Sequence, residues 1–260
     1  PLAVGLLVLT GVGPALPWGS WSRRASRSLV GGAVAALGVS SLAVWQGAGP
    51  ETTAGVAAAT FALAQSMAFL AARFRGSRSA PRALLGRSAA GLLSHLGVAV
   101  LALAVIGSVS GRREAVVALE PGQTATVLDR IMRFIAATER DGPNRRVIEA
   151  EIRTGPDGLI RPALNVFRAS SQAIATPAIV PGASEDLYVT LLNVDAATGA
   201  ATIRVGVHPF VSWIWPAGAL IAAGGLLAAI PARSRRRADV PQAAEQHAAP
   251  PRPVTDGPLV

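Results

Sequence analysis

The stretch GLLSHLGVAVLALAVIGSV, residues 91–109, is uncharged from end to end and holds one imidazole, His95. As a helix rising 1.5 Å per residue, it comes close to the ~30 Å hydrocarbon thickness of a bilayer. His95 lies six residues inside the uncharged run that begins at Ala89, roughly 9 Å along the helix from that edge. A polar ring at that depth belongs either to packing or to a mechanism. The rest of the chain first has to establish that a membrane is involved.

It does so by composition. Of 260 residues, 51% are hydrophobic and 15% charged, a balance that suits a membrane protein better than a soluble domain. No Cys occurs, which excludes disulfides, thiolate metal sites and a cysteine nucleophile. The chain opens on Pro1 inside an apolar run with no charged segment before it, unlike a secretory signal. We expect a portion of a longer protein, with partner residues upstream of Pro1.

Five uncharged runs reach or approach the ~20 residues of a spanning helix: 1–18, 29–45, 53–72, 89–109 and 210–230. All are rich in Gly and Ala, which favours close helix packing. The formal charge is +9, and every basic residue is Arg. Residues 112–208 carry 11 Arg against 11 Asp plus Glu, so the excess lies elsewhere, in Arg patches at 23–27, 73–87 and 233–252. Each patch borders an apolar run, as expected of cytoplasmic loops. The first run then goes from outside to inside and the others alternate. The Arg-free loop 46–52 falls outside, and all five Trp residues (Trp18, Trp21, Trp45, Trp213, Trp215) fall at run ends, where indoles favour the interface. Nucleic-acid binding would need a basic face on a folded domain, and the distribution offers none.

Residues 112–207 have a different texture. Stretches such as AVVAL (115–119), RVIEAEI (146–152), DLYVTLLNV (186–194) and ATIRVGV (201–207) alternate with turn signals EPGQ, TGPDG and DAATG. They predict a small antiparallel sheet or barrel. LDRIMRFIAA (128–137) fits a short helix or a long strand equally. The expected architecture is therefore an α-helical transmembrane bundle of about five spans with one small β-rich extracytoplasmic domain between the last two. Its parts are a four-span region at 1–111 whose first span is cut short, the β domain at 112–208, a final transmembrane helix at 209–232, and a disordered basic cytoplasmic tail at 233–260.

For His95 three readings stand open at this point. They are a hydrogen bond to a neighbouring helix, a proton-relay or substrate site, and an axial ligand to haem iron with the second ring nitrogen held by an acceptor. Its face of the helix also carries Gly91, Ala99 and Ala102, small residues that suit a flat macrocycle or a packed helix alike. The five runs contain no acid and no second His to complete a proton wire. His208 is read as a solvated boundary residue, with an external ligand as the alternative, and His247 as inert in the tail. No catalytic residue is nominated. HExxH and GxxxxGK[ST] are absent, Glu149 and Glu151 alternate on a strand's solvated face, and Glu185 and Asp186 are expected in a turn.

A set of short motifs follows in fixed order: LTGVGPALPW (9–18), SHLGVAVLALAVIGS (94–108), LEPGQ (119–123), GPN (142–144), DLYV (186–189) and HPFVSWIWPAG (208–218). Together they resemble the C-terminal part of the CcmF/NrfE family, the haem-lyase subunits of the multi-component cytochrome c maturation system, over about residues 9–230. The combination of HLGVAV, a β-rich insert and a closing PFVxWIW helix is specific, although no single piece is. The resemblance implies a multi-pass protein of the bacterial inner membrane that helps deliver haem and attach it to apocytochrome c on the outer face, together with other maturation subunits. It implies that His95, in the histidine position of the HLG motif, is one of two axial ligands to a haem b. The other ligand, the Trp-rich haem-handling loop and most catalytic parts would lie before Pro1. The position preceding PFV, commonly of Lys type in the family, is His208 here, which argues against a family-wide role for that imidazole. The implied mechanism is redox and positional. Electrons from the haem on His95 keep the haem being attached reduced while thiols of the substrate add to its vinyl groups, and the β domain docks or frames the substrate. Two rival functions are a polytopic transporter or permease with His95 on its path, and a non-catalytic membrane anchor presenting the β domain to partner proteins. Transport calls for further polar residues facing the bundle interior, where the runs offer mainly Ser, Thr and Gln65.

Overall fold

The computed structural model describes residues 1–16, 23–76, 87–155, 158–169 and 173–230. The expected tail at 233–260, with His247, lies outside them, as do Trp18, Trp21, Arg78 and Arg82. Pro1–Ala229 forms one compact unit.

Among the described residues, five helices account for the apolar runs. They are α1 (Leu2–Val12, continued by a 3-10 turn Gly13–Ala15), α2 (Arg23–Trp45), α3 (Pro50–Arg75), α4 (Arg87–Ser110) and α5 (Ile214–Ala229, entered through a 3-10 turn Val211–Trp213). By length and composition α2, α3, α4 and the segment Val211–Ala229 can each cross a membrane, whereas Leu2–Ala15 is shorter. Local chemistry sets the ends. Past α2, Gly47 adopts φ +84°, and the Ala48 N–H reaches back to the Ala43 carbonyl at 2.9 Å, closing the helix as a left-handed glycine cap does. α3 then opens on Pro50, with Glu51 in its first turn and Arg73 and Arg75 in its last. That arrangement complements the helix dipole at both ends.

The helices pack through their small residues. A Cβ added at Gly97 of α4 would lie 2.8 Å from the Ala217 carbonyl oxygen and 2.9 Å from the Ile221 nitrogen of α5. One added at Gly224 would lie 2.7 Å from the Ala90 oxygen and 2.8 Å from the Ser94 nitrogen. Backbone therefore meets backbone along this seam, the close approach that glycine permits between membrane helices. α3 lies against α4 with Gly55 facing Ile106, and Ala58 and Ala59 pack with Leu7 of α1 and with Val98, Ala102 and Leu103 of α4.

Between α4 and α5 the chain forms ten strands: β1 (Arg113–Leu119), β2 (Thr124–Val127), β3 (Arg130–Asp141), β4 (Arg145–Thr154), β5 (Gly158–Ile160), β6 (Ala163–Phe167), β7 (Ala173–Thr176), β8 (Ala178–Val180), β9 (Glu185–Val194) and β10 (Ala201–Pro209). They make two antiparallel sheets, one ordered β1-β10-β9-β8, the other β2-β3-β4-β6-β7 with β5 also on β4. The ambiguous LDRIMRFIAA resolves as a turn at Leu128 and Asp129 followed by β3. Along β10 the buried residues Ala201, Ile203, Val205 and Val207 recur every second position. This is the period of a strand with one face on a core. That core joins both sheets, Met132, Phe134 and Ile152 from one and Val189, Leu191 and Ile203 from the other.

Candidate functional site

His95 sits on α4 one turn from Ala99 and two from Ala102, and the structure separates the two uses that small neighbours allow. Ala99 is fully buried, and Ala102 packs in the cluster with Leu7, Ala58 and Ala59. Toward the β strands, then, this face of α4 is occupied by other helices. Toward the start of α4, a Cβ added at Gly91 would meet no described residue within 4 Å, and residues 77–86, which precede the helix, lie outside the described residues. His95 itself is half-buried. Its Nδ1 is buried and has no hydrogen-bond partner. A buried polar atom left in that state costs about 1–3 kcal/mol. The bland reading, a hydrogen bond that secures a neighbouring helix, is therefore not what the described residues form. An imidazole with an unused buried nitrogen fits a group bound through one ring nitrogen.

Gln65 of α3 is fully buried, donates from Nε2 to the Ser28 carbonyl of α2 at 2.8 Å and accepts the Ser28 hydroxyl through Oε1. It clamps two helices and is not available to line a polar path. An apolar hollow of about 650 Å³ opens at the other end of the helices, lined by Leu42, Ala43, Leu103, Ile106, Phe210 and Trp213 among others. His95 does not line it.

The passage from sheet to closing helix is built on a residue the sequence undervalued. Glu185 and Asp186, expected in a turn, are the first residues of β9, because that strand pairs with β10 as far as Pro209. Asp186 is buried. One of its carboxylate oxygens accepts the Gly182 N–H at 3.0 Å and the Ser212 hydroxyl at 2.8 Å. Trp213 Nε1 donates to the Ala183 carbonyl at 2.9 Å, and Phe210, at φ +60°, donates its N–H to the Ser184 carbonyl at 2.9 Å. The entry to α5 is thus fastened to the turn before β9. Glu185 pairs with Arg130 and Arg113. Glu149 and Glu151 are bridged by Arg140 and Arg161, the solvated ion pairs expected of that face.

His208 is opposite Asp186 across the β9–β10 pair, its ring 4.7 Å from that of Tyr188. Partial burial and then the Arg112 charge push its pKa below the ordinary value, while Glu114 and Asp186 oppose them. The folded chain therefore binds this proton less readily than the unfolded chain. The neutral form costs nothing above the unfolded pKa, about 6.5, and stability falls as the pH drops from there toward the folded pKa. Thermal unfolding of the full-length protein from about pH 7.5 to about pH 5 should show this acid-side slope. His208→Gln should flatten it, and an equal slope in the variant would assign it elsewhere.

Helices able to span a bilayer, with a two-sheet β insert before the last of them, define the chain as a membrane protein carrying a β-rich domain. No protein-family model matches the chain. Known proteins do. Cytochrome c-type biogenesis protein CcmF of Escherichia coli is 30% identical over 244 residues, 91% of this chain and 37% of that protein. CcmF of Pseudomonas aeruginosa is 32% identical over 164 residues, 62% of this chain and 24% of that protein. A solved structure, described as cytochrome c heme lyase CcmF, superposes with a TM-score of 0.70 at 26% identity, covering 89% of this chain and 39% of that one. The chain belongs to the CcmF family of cytochrome c biogenesis proteins. It spans between a quarter and two fifths of the length of these relatives.

Proposed function

We propose that the chain acts in cytochrome c maturation as part of a haem-binding integral membrane subunit of a haem lyase, and that His95 supplies one axial ligand to a b-type haem. The observation that carries this reading is the buried Nδ1 of His95, which has no hydrogen-bond partner among the described residues. When bound, such a haem supplies one-electron chemistry that keeps the haem under attachment ferrous. The chain's own residues do the holding. His95 offers a neutral imidazole nitrogen. Ala99 and the Ala58–Ala102 contacts seal the helices on one side of it. Away from the haem side, the Gly97–Gly224 seam keeps α4 on α5, and the Asp186 junction fixes the entry to α5 on the β strands.

In this reading the protein lies in the bacterial inner membrane with its Arg-rich ends in the cytoplasm. The β strands face outward, where apocytochrome c and other maturation subunits meet them, and the second haem ligand comes from outside this chain. A transport path is less well supported, because the buried Gln65 is consumed by Ser28. The test is the visible spectrum of the purified full-length protein before and after dithionite. A b-type ferrous band is expected. Colourless protein from haem-replete cells whose c-type cytochromes mature normally would overturn the proposal.

A further inference from the structure

We infer that Arg27 of α2 and Arg75 of α3 form a binding site for the phosphate of an anionic phospholipid, in a hollow between the two helices. The site goes beyond the haem reading and does not depend on it. The hollow measures about 560 Å³, and both arginines line it together with Ser28, Phe69 and Ala72. Both arginines are exposed.

Their positions put the hollow at the edge of a bilayer. Arg27 is the second residue of the apolar segment Ser26–Trp45, and Arg75 is the last of Pro50–Arg75. Basic side chains at such positions lay their stems on apolar surface and keep their charge among the headgroups. The hollow is also braced. Ser28, in its wall, takes the Gln65 Nε2–H on its carbonyl at 2.8 Å, which ties α2 to α3 beside the arginines. Phe69 and Ala72 add an apolar wall suited to the start of an acyl chain.

Charge decides the occupant. Arg75 Nε donates to the Ala71 carbonyl at 3.3 Å, a bond that leaves the terminal nitrogens of its guanidinium for a ligand. No Asp or Glu occurs in residues 1–50 or 52–113. Glu51 sits in the first turn of α3, at the far end from Arg75. The acids of the β strands follow α4 at that same far end, where Thr52 and Gly111 line one hollow. Residues 233–260 hold three acids beside five Arg. The helices therefore offer the two guanidiniums no carboxylate. Guanidinium groups bind phosphate through charge-assisted hydrogen bonds. A zwitterionic headgroup brings an ammonium of its own against them, so a lipid of net negative charge fits better.

The experiment titrates full-length protein in nonionic detergent with phosphatidylglycerol, phosphatidylcholine or inorganic phosphate, and reads bound ligand by native mass spectrometry. An arginine at a membrane surface favours an anionic lipid by about fivefold. Arg27→Gln and Arg75→Gln should each weaken the tightest phosphatidylglycerol site about fivefold, and the pair about 25-fold. Arg27→Lys with Arg75→Lys keeps both charges and should hold that lipid more tightly than the Gln pair. Arg140→Gln, which removes an arginine paired with Glu149 in the strands, should bind as wild type does. Wild-type binding in the double Gln variant, or an equal loss in Arg140→Gln, overturns the inference. So does phosphatidylcholine bound as tightly as phosphatidylglycerol by the wild type. Inorganic phosphate bound as tightly as the lipid would mark a free-anion site and overturn the lipid assignment.

Discussion

Replacing His95 with Ala should strip the full-length protein of its b-type haem while leaving the amount of folded protein in the membrane nearly unchanged. The two halves of this outcome have separate causes. Removing a metal ligand removes a bond, and its effect on retention should exceed the ~10–100-fold that follows loss of an outer-shell partner. Removing the ring from the helix bundle removes little else, because Nδ1 holds no hydrogen bond that another helix would miss. A packing histidine behaves in the opposite way, with folded protein falling and pigment per molecule constant. Cytochrome c maturation in cells should fail along with the pigment. His95→Gly offers a further check, since added imidazole can take the place of the missing ring and the band should return with it. A haem-to-protein ratio equal to wild type in His95→Ala would remove His95 from the iron.

Much of the fold was legible because bilayers and sheets impose strong periodicities. Uncharged runs bounded by Arg gave the long helices, and alternation along residues 201–207 gave the strand that carries Ile203 and Val205. The β2–β3 connection stayed ambiguous for a physical reason. Its two turn residues, Leu128 at φ +48° and Asp129 at φ +64°, both take positive φ, as in the hairpin turn usually marked by Asn-Gly. Here no glycine announces it, so LDRIMRFIAA fits a short helix and a long strand equally. Asp186 was misjudged because a carboxylate before a strand ordinarily signals a turn. Its hydroxyl partner, Ser212, lies 26 residues away.

The candidate site was half visible. His95 stands out in its run because no other titratable side chain shares it. The abundance of glycine announced close packing without saying which glycines meet which backbone. Only the folded chain pairs Gly97 with Ala217 and Gly224 with Ala90.

That pairing makes Gly224 the position where the smallest change should do the most structural damage. A single added methyl would meet the Ser94 hydroxyl and come within 2.8 Å of two backbone atoms of α4. A hydroxyl can rotate away, but backbone inside a helix cannot move without shifting the helix. Overpacking of this kind costs about 1–3 kcal/mol and sometimes more, so Gly224→Ala should lower stability measurably and Gly224→Leu should go further, forcing α5 off α4. Because α5 enters through the junction held by Asp186 and Ser212, a displaced α5 also strains its attachment to the β strands. In full-length protein the expected signature is less folded material and a lower unfolding temperature, graded Gly, Ala, Leu. Haem per folded molecule should stay constant, because Gly224 contacts the Ala90–Ser94 face of α4 and not the face shared by His95 and Ala102. Gly225, one residue on, meets nothing within 4 Å, and Gly225→Ala is the matched control that should leave stability in place. Equal stability for the Leu variants at 224 and 225 would mean that α4 and α5 do not touch as described.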